Sequence, residues 1–88
     1  MTSKERARLR SLASEEDTII QIGKSGITKN VIASVDAALS ARELIKGKVL
    51  ESSMLTAREA CEQLAEAIMA EPVQAIGTKF VLYRKKPE

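Results

Sequence analysis

Gly23-Lys24-Ser25-Gly26 is the segment of this 88-residue chain whose residue types and spacing could do chemistry. Glycine at both ends lets the backbone turn sharply, and lets a ligand reach main-chain N–H groups without meeting a Cβ. Lys24 adds a charged donor, Ser25 a hydroxyl, and Lys29 a second cation shortly afterwards. These groups suit an anion, above all the phosphates of a sugar-phosphate chain. Thr28 can cap a helix that starts directly behind the loop, where free N–H groups and the helix dipole favour negative charge. A tight structural turn with an exposed lysine is the competing reading of the same four residues. A nucleotide-binding P-loop is excluded, because it requires a glycine five positions before Gly23 and that place holds Thr18.

Other chemistries lack their residues. Histidine is absent, which removes the usual general base and the commonest zinc ligand. Cys61 is the one cysteine, so neither an internal disulfide nor a cysteine-based metal site can form within the chain. It falls on the apolar stripe of a helix, where it reads as a small core residue. An enzyme, a metal, a cofactor and a small-molecule substrate are therefore not expected. Phe80 and Tyr83 are the only aromatic residues, so a platform of stacked rings has almost no material.

Net charge is +2, and its distribution says more than its size. Met1 to Lys48 carries +3 and Val49 to Glu88 carries −1. Within the second half, Arg58, Glu59, Glu62, Glu66 and Glu71 form an acidic segment, whereas Lys79, Arg84, Lys85 and Lys86 are basic. Such a chain suits a polyanion-binding face with an acidic face elsewhere. No apolar run reaches the length of a membrane span, and the start is polar, so a cytoplasmic protein is expected.

The elements that must position the loop follow from periodicity and capping. Thr2 and Glu5 open a basic helix with Leu9, Leu12 and Ala13 as its inner stripe. Thr18 to Ile22 is a β-branched strand. Thr28 opens a second helix with Val31, Ile32, Val35, Ala38 and Leu39 inward, ending at 41–43. Glu43 to Leu50 is a strand with Ile45, Gly47 and Val49 on one face and Lys46 and Lys48 on the other. Thr56 and Glu59 form a capping box for a third helix, with Cys61, Leu64, Ala65 and Ile68 buried and Pro72 ending it. Val73 to Ile76 and Lys79 to Arg84 form a hairpin about Gly77, and 85–88 is a frayed tail. The order helix, strand, helix, strand, helix, strand, strand predicts one α/β domain over 1–88. It is a compact two-layer sandwich of a four-stranded mixed sheet and three helices, with parallel neighbours within each strand–helix–strand unit.

Four segments together resemble one family. They are Ile22 to Gly26 before a helix, Glu43 to Lys48, Val73 to Gly77, and Val81 to Arg84. The chain is similar over nearly its whole length to the CRM domain (chloroplast RNA splicing and ribosome maturation), in its stand-alone bacterial YhbY-like form. That resemblance implies a fold like the C-terminal domain of translation initiation factor 3, and a role in binding structured RNA. Stand-alone members are linked to precursors of the large ribosomal subunit and plant members to intron splicing. One departure is Gly47, which stands where the family's strand usually has an apolar residue.

The resulting expectation is a monomeric, non-catalytic RNA-binding protein acting on ribosomal RNA of large-subunit precursors. Its RNA-binding residues would be Gly23, Lys24, Ser25, Gly26, Lys29, Lys46, Lys48 and Arg84. Lys46 and Lys48 could equally protect a sheet edge. Tyr83 alternates away from Arg84 and reads as core. The alternative is a protein-interaction module that docks through the acidic third helix, at Glu62 and Glu66.

Overall fold

A computed structural model of the chain describes residues 2–85. Beyond Lys85, the expected frayed tail lies outside the described residues. Eight elements follow one another: α1 (Ser3–Ala13), β1 (Thr18–Ile22), α2 (Lys29–Arg42), β2 (Leu44–Val49), a 3-10 turn (Glu51–Ser53), α3 (Ala57–Ile68), β3 (Glu71–Ile76) and β4 (Lys79–Tyr83). No helix among the described residues is long and apolar enough to cross a membrane.

The helices begin where side chains can satisfy their free N–H groups. Thr2, Thr28 and Thr56 each accept the N–H three residues on, from Glu5, Val31 and Glu59 respectively. Glu59 also accepts the Thr56 N–H at 3.0 Å, completing the expected capping box. At the first helix the Glu5 carboxylate instead accepts the Thr2 hydroxyl at 3.2 Å. Pro72 does not end α3. The helix stops three residues earlier, where Met69 turns left-handed at φ 57° and Ala70 N–H bonds Ala65 O. Pro72 instead lies in β3, an edge strand, where a missing N–H can face away from the ladder.

The four strands form one sheet in the order β1-β2-β4-β3. β1 and β2 are parallel, joined through α2, whereas β4 is antiparallel to both β2 and β3. One expected neighbour pair is corrected here. β2 and β3 do not touch as neighbours, because β4, arriving last, inserts between them.

Alternation along the strands builds a core on each face. Ile20, Ile22, Ile45, Val49, Phe80 and Leu82 point to one side, against Val35 and Leu39 of α2 and Ala60, Cys61, Leu64 and Ile68 of α3. This is the expected sandwich. Leu44, Val73 and Val81 point to the other side, where Leu9 and Ala13 of α1 cover them and Tyr83 packs alongside, half-buried. Leu12 does not join this inner stripe and is 49% exposed. A short helix seated on a sheet by residues four apart turns the intervening i+3 position to its flank.

Gly47 and Phe80 face each other across β2 and β4. A Cβ at position 47 would stand 2.3 Å from the tip of the fully buried Phe80 ring. The ring therefore occupies the volume that an apolar side chain on β2 would fill, which accounts for the departure at this position. Cys61 lies beneath the sheet with its sulfur 3.7 Å from Val81 O. Burial, helped by the charge of Glu62, pushes the thiol up to about 11.

Two tests follow from this packing. Gly47→Ala should lower stability by about 1–3 kcal/mol or more, through overpacking. Phe80→Leu removes the ring tip and should offset part of that loss, seen as a favourable coupling energy in a denaturant double-mutant cycle. Cys61 in the folded protein should resist alkylation at pH 8 and react on unfolding. Because the folded state holds this proton more tightly than the unfolded chain, the thiol's stabilising contribution is complete below pH 9 and lost as pH rises toward 11, readable as a falling melting temperature.

Candidate nucleic-acid interface

The loop from Gly23 to Gly26 is a β-turn, closed by Gly26 N–H donating to Gly23 O at 2.9 Å. It is held firmly at both ends. Ile22 is fully buried, its carbonyl accepts Leu50 N–H at 2.8 Å, and Ile27 packs against the same core. Thr28 then caps α2 through Val31 N–H at 3.1 Å. Lys24 and Ser25, the two central residues, are exposed.

The two glycines play different parts. Gly26 takes φ 70°, the left-handed region where a side chain is strained. Gly23 does not, and a Cβ there would meet only Leu50 Cδ1, at 3.6 Å. Its lack of a side chain is thus not required by the turn, and leaves the strand end open to close approach.

The expected site residues separate into three groups. Lys24, Ser25 and Lys29 gather at the N-terminal end of α2, where Lys29 occupies the first turn and lines a shallow groove with Ile32, Ala33 and Ile68. Lys48 lies at the same end of the sheet but on the face that bears α1. Lys46 shares that face and reaches Ala13 O at 3.5 Å, near the C-terminal end of α1. β2 is an inner strand, so edge protection does not explain either lysine.

Arg84 is tied into the fold. It follows β4 at the far end of the sheet, roughly 17 Å from Lys79 by strand rise. One guanidinium nitrogen donates to Asp36 Oδ1 at 2.6 Å and Ile68 O at 2.8 Å. The other donates to Asp36 O and Ser40 Oγ, both at 3.0 Å. Ile68 O is a terminal carbonyl of α3, so the cation meets both an orphan acceptor and the negative end of a helix dipole. Arg84 is a clamp between α2, α3 and the sheet, with both terminal guanidinium nitrogens bonded to protein acceptors.

One cation was not singled out from sequence. Lys79 is the direct cross-strand partner of Lys48. The inward position of Phe80 in a hairpin strand was the available signal, since it turns Lys79 to the opposite face. The acidic face of α3 is also less free than its sequence suggests. Glu59 serves the cap, and Glu62 pairs with Arg58 at 3.2 Å. No group of three or more His, Cys, Asp or Glu among the described residues is placed to hold a metal ion.

The architecture is thus an α/β domain presenting a glycine-bounded turn with exposed donors at a helix N-terminus, a geometry that receives anions. Residues 1–84 match the CRS1 / YhbY (CRM) domain model, and the chain belongs to that family. A Bacillus subtilis protein described as a probable RNA-binding protein, YqeI, is 38% identical over 88 residues, covering 100% of this chain and 92% of the relative. A Haemophilus influenzae protein named as an RNA-binding protein is 32% identical, covering 100% and 89% respectively. Among solved structures, a candidate RNA-binding protein from Staphylococcus aureus, SAV1595, superposes with a TM-score of 0.80 at 42% identity, covering 100% of this chain and 92% of that one.

Replacing Arg84 tests the clamp. Arg84→Ala should lower stability by about 1.5–3 kcal/mol, the range for hydrogen bonds to charged groups, in equilibrium denaturation. Ligand affinity per folded molecule should stay within about twofold of the parent if the candidate turn at Gly23–Gly26, at the other end of the sheet, is where phosphates are held.

Proposed function

We propose that this protein binds RNA without catalysing a reaction on it. The target we infer is ribosomal RNA within large-subunit precursors during ribosome assembly. Membership of the CRS1 / YhbY family and the naming of its relatives for RNA binding support the first part. The link to large-subunit precursors rests on the resemblance of the stand-alone members.

The observation that carries the reading is the rigid turn Gly23-Lys24-Ser25-Gly26, anchored by Ile22 and Ile27 and opening onto the capped N-terminus of α2. The Ser25 hydroxyl and the ammonium groups of Lys24 and Lys29 are exposed at this helix end, where a phosphate would also meet the positive end of the helix dipole. Gly23 leaves room for the sugar-phosphate chain to pass close to the strand end. Contacts of this kind fix position on a nucleic acid and read its shape more than its base sequence. The chain works as a monomer in this scheme, in the cytoplasm, with Lys46 and Lys48 as supporting cations.

Binding should weaken steeply with salt, because each phosphate contact releases condensed counterions. Lys24→Ala with Lys29→Ala should lower affinity for a large-subunit ribosomal RNA fragment on the order of tenfold near 0.15 M salt, and flatten the log–log salt slope by roughly one to two. Gly23→Ala, which the fold has room for, should weaken binding with an unchanged melting temperature. Parent-like affinity for both variants across a salt titration would remove the turn from the interface.

A further inference from the structure

The ladder registers align one residue from each strand in a row across the sheet. Gln21 of β1 is opposite Lys48, Lys48 is opposite Lys79 of β4, and Lys79 is opposite Ile76 of β3. Paired residues share a face, and the next residues along β1, β2 and β4, namely Ile22, Val49 and Phe80, belong to the core beneath α2 and α3. The row therefore lies on the opposite face. There α1 buries Leu44, Val73 and Val81 toward one end, while the row, at the other, stays uncovered. Gln21 and Lys79 are exposed, Lys48 is half-buried, and Ile76 is 68% exposed.

One feature of this row needs a cause. Like charges directly opposite on neighbouring strands stand about 5 Å apart at Cβ and repel. Lys48 and Lys79 are such a pair, with Lys46 two residues along on the same face. The ion pairs Arg58–Glu62 and Arg84–Asp36 involve neither lysine, and among the described residues no carboxylate pairs with Lys48 or Lys79. Edge protection is not the cause either, since β2 and β4 are the two inner strands. An anion laid across the pair relieves the repulsion.

The row also adjoins the turn at Gly23. Leu50 N–H bonds Ile22 O and Val49 N–H bonds Thr78 O, both at 2.8 Å, so the loop after β1, the end of β2 and the β3–β4 turn form one rim. β1 and β4 are two strand spacings apart, about 10 Å. A polyanion leaving the turn reaches the lysine pair without crossing an acidic side chain of β1, β2 or β4.

We propose that Gln21, Lys48, Lys79 and Ile76 form a second RNA-contacting surface, on which the phosphate backbone continues from the turn onto the open sheet face. This deepens the function proposed above and rests on it. Lys48 and Lys79 hold phosphate oxygens between them, while Gln21 and Ile76 flank the chain with an amide and an apolar contact for sugars. The turn and the row together extend the footprint from one helix end around the rim of the sheet.

The test uses the full chain and a labelled fragment of large-subunit ribosomal RNA. Lys48→Gln with Lys79→Gln should weaken binding on the order of tenfold near 0.15 M salt and reduce the salt slope by roughly one to two. Its melting temperature should match or exceed the parent's, because the opposed charges are gone. Lys48→Arg with Lys79→Arg should retain affinity. Photocrosslinking of the unsubstituted protein should attach RNA to peptides bearing Lys48 and Lys79, a readout independent of any variant's folding. If the glutamine pair binds like the parent while Lys24→Ala binds more weakly, the row is not an RNA surface and the turn remains one. If the parent itself fails to bind the RNA, the proposed function falls and the row falls with it. Binding of an acidic protein at the row, with RNA affinity unaffected, would also overturn the proposal.

Discussion

The seating of the Phe80 ring on Gly47 is the contact from which much of the remaining geometry follows. It places the largest fully buried side chain at the centre of the sheet, where β2 and β4 meet beneath α2 and α3. A ring on one strand and a vacancy on its neighbour fit in one register. Slipping β4 by one residue would turn its buried face outward and leave the ring against a side chain instead of a gap. That register determines which lysines share a face. Lys48 and Lys79 are opposed because Gly47 and Phe80 are.

Rigid anchoring at one end and clamping at the other divide the labour of the molecule. Near the turn, hydrogen bonds at Ile22, Leu50 and Thr78 tie three chain segments into one rim, while the charged side chains there project outward. At the far end, Arg84 gathers acceptors from α2 and α3. A cationic side chain is left exposed or tied into the fold according to what surrounds it. Arg84 has four protein acceptors, whereas Lys24 sits on an exposed turn tip. A preformed anion site loses little freedom on binding, and so favours a stationary scaffold behind mobile cationic side chains.

Local signals were legible in the sequence and non-local ones were not. The bounds of β1, the three threonine caps and the split of apolar from basic positions on β2 follow from period and capping chemistry within a few residues. The end of α3 was misread because a left-handed methionine leaves no mark. Glycine usually takes that position, and without it Pro72 was the first visible punctuation. Glu43 and Met54 make comparable left-handed turns without glycine. Placement of β4 between β2 and β3, and the partners of Arg84 at positions 36, 40 and 68, depend on contacts between segments far apart in the chain. Residue spacing cannot encode them. Of the candidate site, the turn was legible as a unit, but the pairing of Lys48 with Lys79 required the register.

The strand order carries a consequence for how the domain comes into being. A chain made from its N-terminus delivers β1, α2 and β2 early, and they can pair at once. β3 follows but has no partner, because the strand beside it is the next to be made. Until β4 is delivered, the inner edge of β2 and both edges of β3 carry unpaired backbone groups, and the α2–α3 core lacks its largest side chain. Assembly is thus gated by the last strand rather than accumulated strand by strand. A nascent chain stalled before Lys79 holds neither a closed sheet nor the lysine pair, so competence to fold and the complete cationic rim arrive together.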